Sequence, residues 1–133
     1  MNRLKIKELT FSAAHYIPDH PKCSALHGHT FFIRDLIIDC EEFVDFAVVK
    51  KIIDQWDHTL IVPERDYKSW LELVGDLKDG TPWRLDLMTV KGDPTCEDLA
   101  IAIRRQIHAI PGVTYVEFEL YEGSNQGVMT HSE

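Results

Sequence analysis

The chain has 133 residues, with 14 Lys and Arg against 22 Asp and Glu, and therefore a formal net charge of −8 at neutral pH. This length suits a single domain over residues 1–133. The acidic balance argues against nucleic-acid partners and against attraction to anionic membranes, and no apolar run approaches a membrane span or a signal peptide. The three cysteines form no CxxC pair, which favours free thiols and a cytoplasmic location.

The first half of the chain predicts two paired strands followed by a helix. Residues 3–14 begin with alternating apolar and charged side chains, the period of a half-buried strand. A loop with two prolines spans residues 16–24, and residues 29–39, rich in Phe and Ile, predict a second strand antiparallel to the first. From Val44 to His58 the apolar period changes to that of an amphipathic helix, with Asp45 as its N-cap.

The second half predicts another helix between two strands. Residues 63–83 predict either a short helix before Gly80 or a long loop insertion. Residues 85–90 suit a third strand, residues 94–110 a second amphipathic helix capped by Thr95, and residues 114–122 a fourth strand. This order implies an α+β domain, with two main helices on one face of a four-stranded antiparallel sheet.

Three histidines are predicted to converge where the first two strands pair. His27 and His29 are two residues apart on a strand, so they project to the same face, and His15 lies at the end of the partner strand. Three neutral nitrogen ligands without a fourth protein ligand are typical of a catalytic zinc site with an open position. The alternative is that they are ordinary strand or core histidines, the more common situation for a lone histidine.

Cys23, four residues before His27, lies in the loop that leads to this site. A nearby divalent cation would favour its thiolate, a general base or nucleophile; the alternatives are a buried structural cysteine or a fourth zinc ligand. Asp57 and His58 form either half of a proton relay or a solvated helix end. Glu122 continues the apolar register of the fourth strand, so its carboxylate needs a partner, either the paired N–H donors of a heterocyclic ligand or an Arg.

Several short motifs together resemble one enzyme family. In chain order they are Phe11-Ser12-Ala13-Ala14-His15, Cys23-Ser24-Ala25-Leu26-His27-Gly28-His29, Val44-Asp45-Phe46, Asp57-His58, Pro94-Thr95-Cys96-Glu97-Asp98-Leu99 and Tyr121-Glu122. This set resembles the 6-pyruvoyltetrahydropterin synthase and 6-carboxytetrahydropterin synthase family. The Cys-x3-His spacing is more similar to the bacterial 6-carboxytetrahydropterin synthases of queuosine biosynthesis.

The resemblance implies a zinc-dependent lyase that acts on 7,8-dihydroneopterin triphosphate. The implied zinc ligands are His15, His27 and His29, and the implied proton-relay group is Cys23, Asp57 and His58. Glu122 would anchor the pterin ring, with Thr95 and Glu97 in the motif that lines the pterin pocket. The implied fold is the tunnelling fold, whose subunits assemble as trimers stacked into hexamers with active sites between subunits.

Two departures from the family pattern leave other functions open. The stretch 63–93 is longer than the pattern leads us to expect, and Gly123 follows Glu122 where the family often has Thr. The alternatives are a 6-pyruvoyltetrahydropterin synthase, a non-catalytic pterin- or zinc-binding member, and a small metal-dependent hydrolase, which would give Cys23 and Glu122 no task. Few basic residues are available for a triphosphate, and Lys22, beside Cys23, is the first candidate.

Overall fold

The structure, a computed structural model, describes residues 1–78 and 82–133, and the side chains of residues 76–78 are not described. Within these residues the chain forms six strands, three α-helices and one 3-10 turn. The strands are β1 (Asn2–His15), β2 (His27–Cys40), β3 (Thr59–Pro63), β4 (Asp86–Val90), β5 (Val113–Glu122) and β6 (Gln126–His131). The helices are α1 (Phe46–Asp54), α2 (Tyr67–Lys78) and α3 (Cys96–His108), and the 3-10 turn over Glu64–Asp66 leads directly into α2.

The sheet is mixed. Across the described residues its strand order is β4-β3-β1-β2-β5-β6. The pairs β1–β2, β2–β5 and β5–β6 are antiparallel, whereas β3 runs parallel to both β1 and β4. The prediction of a four-stranded antiparallel sheet is therefore wrong in strand number and in the direction of two pairings. The missed strands are β3, a short apolar run that periodicity alone does not separate from a helix, and β6, which is short and mostly polar.

The predicted elements otherwise lie where the sequence indicates, and both predicted caps form. The Asp45 side chain accepts from the Ala47 N–H, and the Thr95 side chain accepts from the Asp98 N–H. Helix α1 is shorter than predicted, because it ends at Asp54 and the chain then turns. The helix alternative for residues 63–83 is confirmed by α2, a third helix beyond the two predicted, and Gly80 lies outside the described residues.

The hydrophobic core lies between α1, α3 and one face of the sheet. The buried helix side chains are Val49 and Ile53 from α1 and Leu99, Ala100, Ile103 and Ile107 from α3. Burial of one such large aliphatic side chain is worth about 1.5–3 kcal/mol. On the sheet, Phe11 and Phe31 stack with their ring centroids 4.9 Å apart, and the same face continues to His15 and His29 at one end. None of the described helices is long and apolar enough to cross a membrane.

Candidate metal centre

The three predicted histidines meet at one end of the β1–β2 pair. The antiparallel register places His15 opposite His27 and Ala13 opposite His29. The ring centroids are 4.5 Å apart for His15 and His27, 5.1 Å for His15 and His29, and 5.0 Å for His27 and His29. One ring nitrogen of each lies within 4.8 Å of the other two. The predicted convergence of the imidazoles is confirmed, and we call these residues the His triad.

Backbone carbonyls fix the orientation of two of these rings. His15 Nδ1 lies 2.8 Å from the Pro94 carbonyl oxygen, and His27 Nδ1 lies 2.7 Å from that of Ala25. Because a carbonyl oxygen can only accept, each Nδ1 carries the proton when the ring is neutral, and Nε2 is left with a free lone pair. Contacts of this kind orient metal-binding histidines in many proteins.

The surroundings of the buried His15 Nε2 show whether these residues fit a metal ion. This atom is buried and has no hydrogen-bond partner. Burial also lowers the pKa of His15, which favours the neutral ring that metals bind. A buried acceptor without a partner costs about 1–3 kcal/mol. Coordination of a metal would satisfy this atom, so the residues fit a metal ion.

Glu122 lies beside the triad, at the end of β5. It pairs across the sheet with Phe31 and follows the buried Leu120 in the same register, as the sequence predicts. Its Oε1 is 3.7 Å from His15 Nε2. Among the described residues, the basic side chain within 4 Å of this carboxylate is the neutral His15 ring and not an Arg. The carboxylate therefore keeps its capacity to accept N–H bonds from a ligand.

The start of α3 packs against the same region. The Cys96 thiol lies 3.4 Å from the Leu120 carbonyl oxygen, and the Thr95 hydroxyl serves as the helix cap. Burial, together with the negative charges of Glu122 and Glu97, raises the pKa of Cys96 to about 12. The charges of Glu97 and Glu122 thus both act on Cys96, which remains a thiol, and Thr95 caps the helix that Cys96 begins.

Cys23 lies in the loop between β1 and β2 and is a half-buried free thiol. Its N–H donates to His20 Nδ1 at 2.9 Å, and its carbonyl accepts from the Ile17 N–H at 2.7 Å. Over the residues that the structure describes, the group of candidate metal ligands contains the three histidines and does not include Cys23. The structure therefore does not place Cys23 as a fourth ligand.

Asp57 and His58 occupy the turn between α1 and β3. One carboxylate oxygen of Asp57 accepts from the Ser12 N–H at 2.7 Å, and the other lies 2.8 Å from His58 Nδ1. The Ser12 N–H, and after it the His58 ring, holds the pKa of the Asp57 carboxyl below its usual range. His58 adopts a left-handed φ of 59°, which is uncommon outside glycine.

The side chain of His58 is not part of the metal-ligand group that the described residues form. It is 81% exposed and lines a shallow depression with Ser12, Thr30 and the triad residue His29. Ser12 alternates with the buried Phe11 and Ala13, so the Ser12 and Thr30 side of this depression belongs to the polar face of the sheet. Within one chain the structure keeps Asp57 and His58 out of the candidate metal-ligand group of the described residues, while His58 and His29 line the same depression.

Sequence reasoning missed a second layer of contacts around the site. The carbonyls of Pro94 and Ala25 orient two ligands, and backbone groups carry no sequence signature of their own. The Tyr16 hydroxyl donates to Asp66 and accepts from the Trp70 indole N–H, each at 2.8 Å. The Pro94-Thr95 pair at the start of α3 is the one sequence signal for the contact of the Pro94 carbonyl. No sequence pattern indicates the two contacts of the Tyr16 hydroxyl.

A model of the family described as 6-pyruvoyl tetrahydropterin synthase matches residues 5–133. The chain belongs to this family. It is 27% identical over 142 residues, covering 90% of this chain and 87% of the relative, to a Methanocaldococcus jannaschii protein named "Putative 6-carboxy-5,6,7,8-tetrahydropterin synthase". It is 25% identical over 111 residues, covering 79% of this chain and 70% of the relative, to a Halobacterium salinarum protein named "Probable 6-carboxy-5,6,7,8-tetrahydropterin synthase".

Solved structures of the family share the fold. A catalytic-residue mutant of the Plasmodium vivax 6-pyruvoyltetrahydropterin synthase superposes with a TM-score of 0.66 at 19% identity, covering 98% of this chain and 97% of that one. Another structure of the Plasmodium vivax enzyme gives 0.64 at 17% identity, covering 99% of both chains. At such low identities the likeness establishes the architecture and leaves the reaction to be argued from the site.

Proposed function

We propose that this chain is a zinc-dependent 6-carboxy-5,6,7,8-tetrahydropterin synthase acting on 7,8-dihydroneopterin triphosphate. The observation that carries the proposal is the His triad, with the unpartnered Nε2 of His15 lying 3.7 Å from the Glu122 carboxylate. A metal site and a carboxylate side by side suit a heterocyclic substrate whose side chain carries hydroxyl groups. Family membership supports pterin chemistry, and the names of the archaeal relatives favour the 6-carboxy product.

Each residue at this end of the sheet then has a task. The His triad would hold zinc, which would supply Lewis-acid polarisation of a substrate oxygen. Glu122 would accept N–H bonds from the pterin ring, charge-assisted bonds about twice as strong as neutral ones. Thr95 and Glu97 would line the pterin pocket at the start of α3. Cys23 would take a proton from the substrate side chain and return it.

Asp57 and His58 would complete the proton relay in an assembly of subunits. Because their side chains lie outside the candidate metal-ligand group of the described residues, they would serve the site of a neighbouring chain. The two edge strands in the described part of the sheet, β4 and β6, offer backbone groups with which another sheet can pair. We therefore propose a homo-oligomer, a hexamer of two stacked trimers, located in the cytoplasm as the three free cysteines suggest.

The test is product analysis by mass spectrometry with zinc-loaded protein and 7,8-dihydroneopterin triphosphate. We expect triphosphate, acetaldehyde and 6-carboxytetrahydropterin, and loss of all three when a chelator removes zinc. Formation of 6-pyruvoyltetrahydropterin without acetaldehyde would replace the proposed product. Tight pterin binding without turnover would favour the non-catalytic alternative.

A cysteine pair tests the assigned base. Cys23→Ala should lose most turnover, on the order of 100-fold or more, while zinc content stays that of the wild type. Cys40→Ala is the matched control, since Cys40 is buried at the far end of β2 and its thiol contacts the Asn2 carbonyl. Full activity in Cys23→Ala would remove the thiol from the mechanism.

A further inference from the structure

The segment between β3 and β4 contains the 3-10 turn and α2, the helix that was one of the two predicted alternatives for residues 63–83. Most described side chains of α2 face solvent, and Leu71 and Leu73 are 48% and 53% exposed. Val74 is buried and Trp70 is half-buried. A helix with so little buried surface is held by its few inward contacts, and Trp70 makes the most specific of these.

Through Trp70, helix α2 contacts Tyr16, the residue next to His15 of the triad. The Trp70 indole N–H donates to the Tyr16 hydroxyl at 2.8 Å, and that hydroxyl donates to Asp66 Oδ2 at 2.8 Å. The two rings also pack, with centroids 5.9 Å apart. A phenol that accepts one hydrogen bond and donates another is fixed in both position and orientation. Since Tyr16 directly follows His15, this segment is tied to the chain at the metal site.

The same 3-10 turn makes a second tie to His15. Arg65 forms an ion pair with Asp93, and Asp93 precedes Pro94, whose carbonyl accepts from His15 Nδ1. Arg65 is about half exposed, so solvent screening keeps the contribution of this pair small. Arg65 and Asp66, which are adjacent in the turn, therefore contact the two chain segments that meet at His15. The hydrogen bond of Asp66 is less exposed to solvent than the ion pair of Arg65.

From Tyr16 the constraint passes to the cysteine loop. Ile17, the next residue, donates its N–H to the Cys23 carbonyl at 2.7 Å, and the Cys23 N–H donates to His20 Nδ1 at 2.9 Å. The loop that carries the thiol thus begins at the anchored tyrosine and is closed by a bond one residue later. Any loosening of Tyr16 is transmitted to Cys23 through a single backbone hydrogen bond.

We propose that Tyr16, Asp66 and Trp70 form a positioning cluster that holds the Cys23 loop beside the metal site. The inference rests on the proposed function, in which the Cys23 thiol exchanges a proton with the substrate. None of the three side chains is assigned a contact with the substrate, so they act through the loop. A misplacement of about 1 Å in a reacting group can cost on the order of 100-fold in rate.

The experiment uses Tyr16→Phe and Trp70→Phe, which keep a ring and remove one hydrogen-bonding group each. The matched control is Tyr115→Phe, since the Tyr115 hydroxyl also donates to a carboxylate, that of Glu117 at 2.7 Å, at the other end of β2. The first readout needs no turnover. It is the rate at which iodoacetamide modifies Cys23 in the zinc-loaded protein, followed by peptide mass spectrometry.

We expect the modification rate of Cys23 to rise about threefold or more in both cluster variants, because a freed loop exposes the half-buried thiol more often. Hydrogen exchange of the Ile17 amide should accelerate in parallel. In the turnover assay kcat should fall about tenfold, with KM changed less than about twofold, because binding groups stay in place. Tyr115→Phe should leave all three readouts at wild-type values.

Unchanged modification and exchange in both variants would overturn the positioning role, whether or not the wild type turns over the pterin. A faster modification rate with unchanged kcat would overturn the link to catalysis. If the wild-type protein has no pterin activity, the proposed function fails while the modification and exchange data still decide the inference. Asp66→Ala removes the acceptor of the Tyr16 hydroxyl and serves as the test variant if either ring variant loses thermal stability or zinc.

Discussion

Zinc should stabilise the fold, and this stabilisation should depend on His27. The His27 ring is half-buried, and its Nδ1 bonds within the loop, to the Ala25 carbonyl. Removal of this ring in His27→Ala therefore leaves the core intact and takes away one of the three ligand atoms that lie within 4.8 Å of one another. His131→Ala is the matched control, because His131 is exposed at the end of β6 and contacts the Ser132 carbonyl.

The magnitude follows from linkage between binding and folding. Zinc at 100 times its dissociation constant stabilises a native state that alone binds it by about 2.7 kcal/mol. For a domain of 133 residues, roughly 3 °C per kcal/mol turns this into a shift of the melting temperature of about 8 °C. If the site is weakened 100-fold, the same zinc concentration stabilises by about 0.4 kcal/mol, or about 1 °C.

The assay is thermal unfolding of chelator-treated protein titrated with zinc, together with metal analysis of the refilled protein. The wild type and His131→Ala should show the full shift and hold about one zinc per chain, whereas His27→Ala should show almost none. An equal shift in the wild type and in His27→Ala would refute the assignment of the triad. Loss of the shift in His131→Ala would place the metal elsewhere.

Three further predictions concern groups outside the triad. Cys96, whose pKa burial raises to about 12, should stay unmodified by iodoacetamide at pH 8 in the native protein, and a labelled Cys96 peptide would contradict the burial argument. The Arg3 guanidinium holds the pKa of the Asp39 carboxyl below its usual range, so the stability it contributes is present above the unfolded pKa and lost as pH falls through the folded one. Asp39→Asn should therefore lower the urea midpoint at pH 7, and the difference from the wild-type midpoint should shrink below about pH 4. A difference that persists at lower pH would contradict this account. Gly127→Ala should destabilise by about 1–3 kcal/mol, because its Cβ would collide with the Leu120 carbonyl, and an unchanged urea midpoint would show that β6 shifts freely.

The triad could be predicted because strand pairing converts local sequence into geometry. His27 and His29 share a face through the two-residue period of a strand, and an antiparallel partner of matched length brings His15 opposite His27. Glu122 was found by the same reasoning, since its register continues that of the buried Leu120. Both inferences use the pleat alone and need no knowledge of distant contacts.

The turn that carries Asp57 and His58 escaped prediction for a specific reason. In the sequence the apolar stripe of α1 continues to Trp56, so the pattern extends the helix to His58. In the structure Trp56 is buried outside the helix, where its indole N–H donates to Gln106 Oε1 at 2.8 Å, and β3 begins three residues later at Thr59. A tertiary contact thus ends the helical pattern, and no helix-stop residue in the sequence marks the place.

The contacts around the triad depend on residues far apart in the sequence. The bond between His15 and the Pro94 carbonyl spans 79 positions, and the bond between Tyr16 and Asp66 spans 50. Neither has a periodic signature, because periodicity reports the neighbours of a residue within its own element. They follow from the parallel pairing of β3 with β1 and β4, and that pairing was itself missed.

The net charge of −8 bears on substrate binding less than the charges at the site. At physiological ionic strength, exposed charges farther apart than about 8 Å are largely screened, so most of the surface carboxylates act weakly on a triphosphate held at the triad. Within the described residues Glu122 lies beside the triad, and the triad rings are uncharged when they bind metal. In the proposed function, a triphosphate would extend away from Glu122, and the exposed Lys22 of the Cys23 loop is the cation proposed to meet it. The pterin end and the phosphate end of the proposed substrate would thus require protein groups of opposite charge.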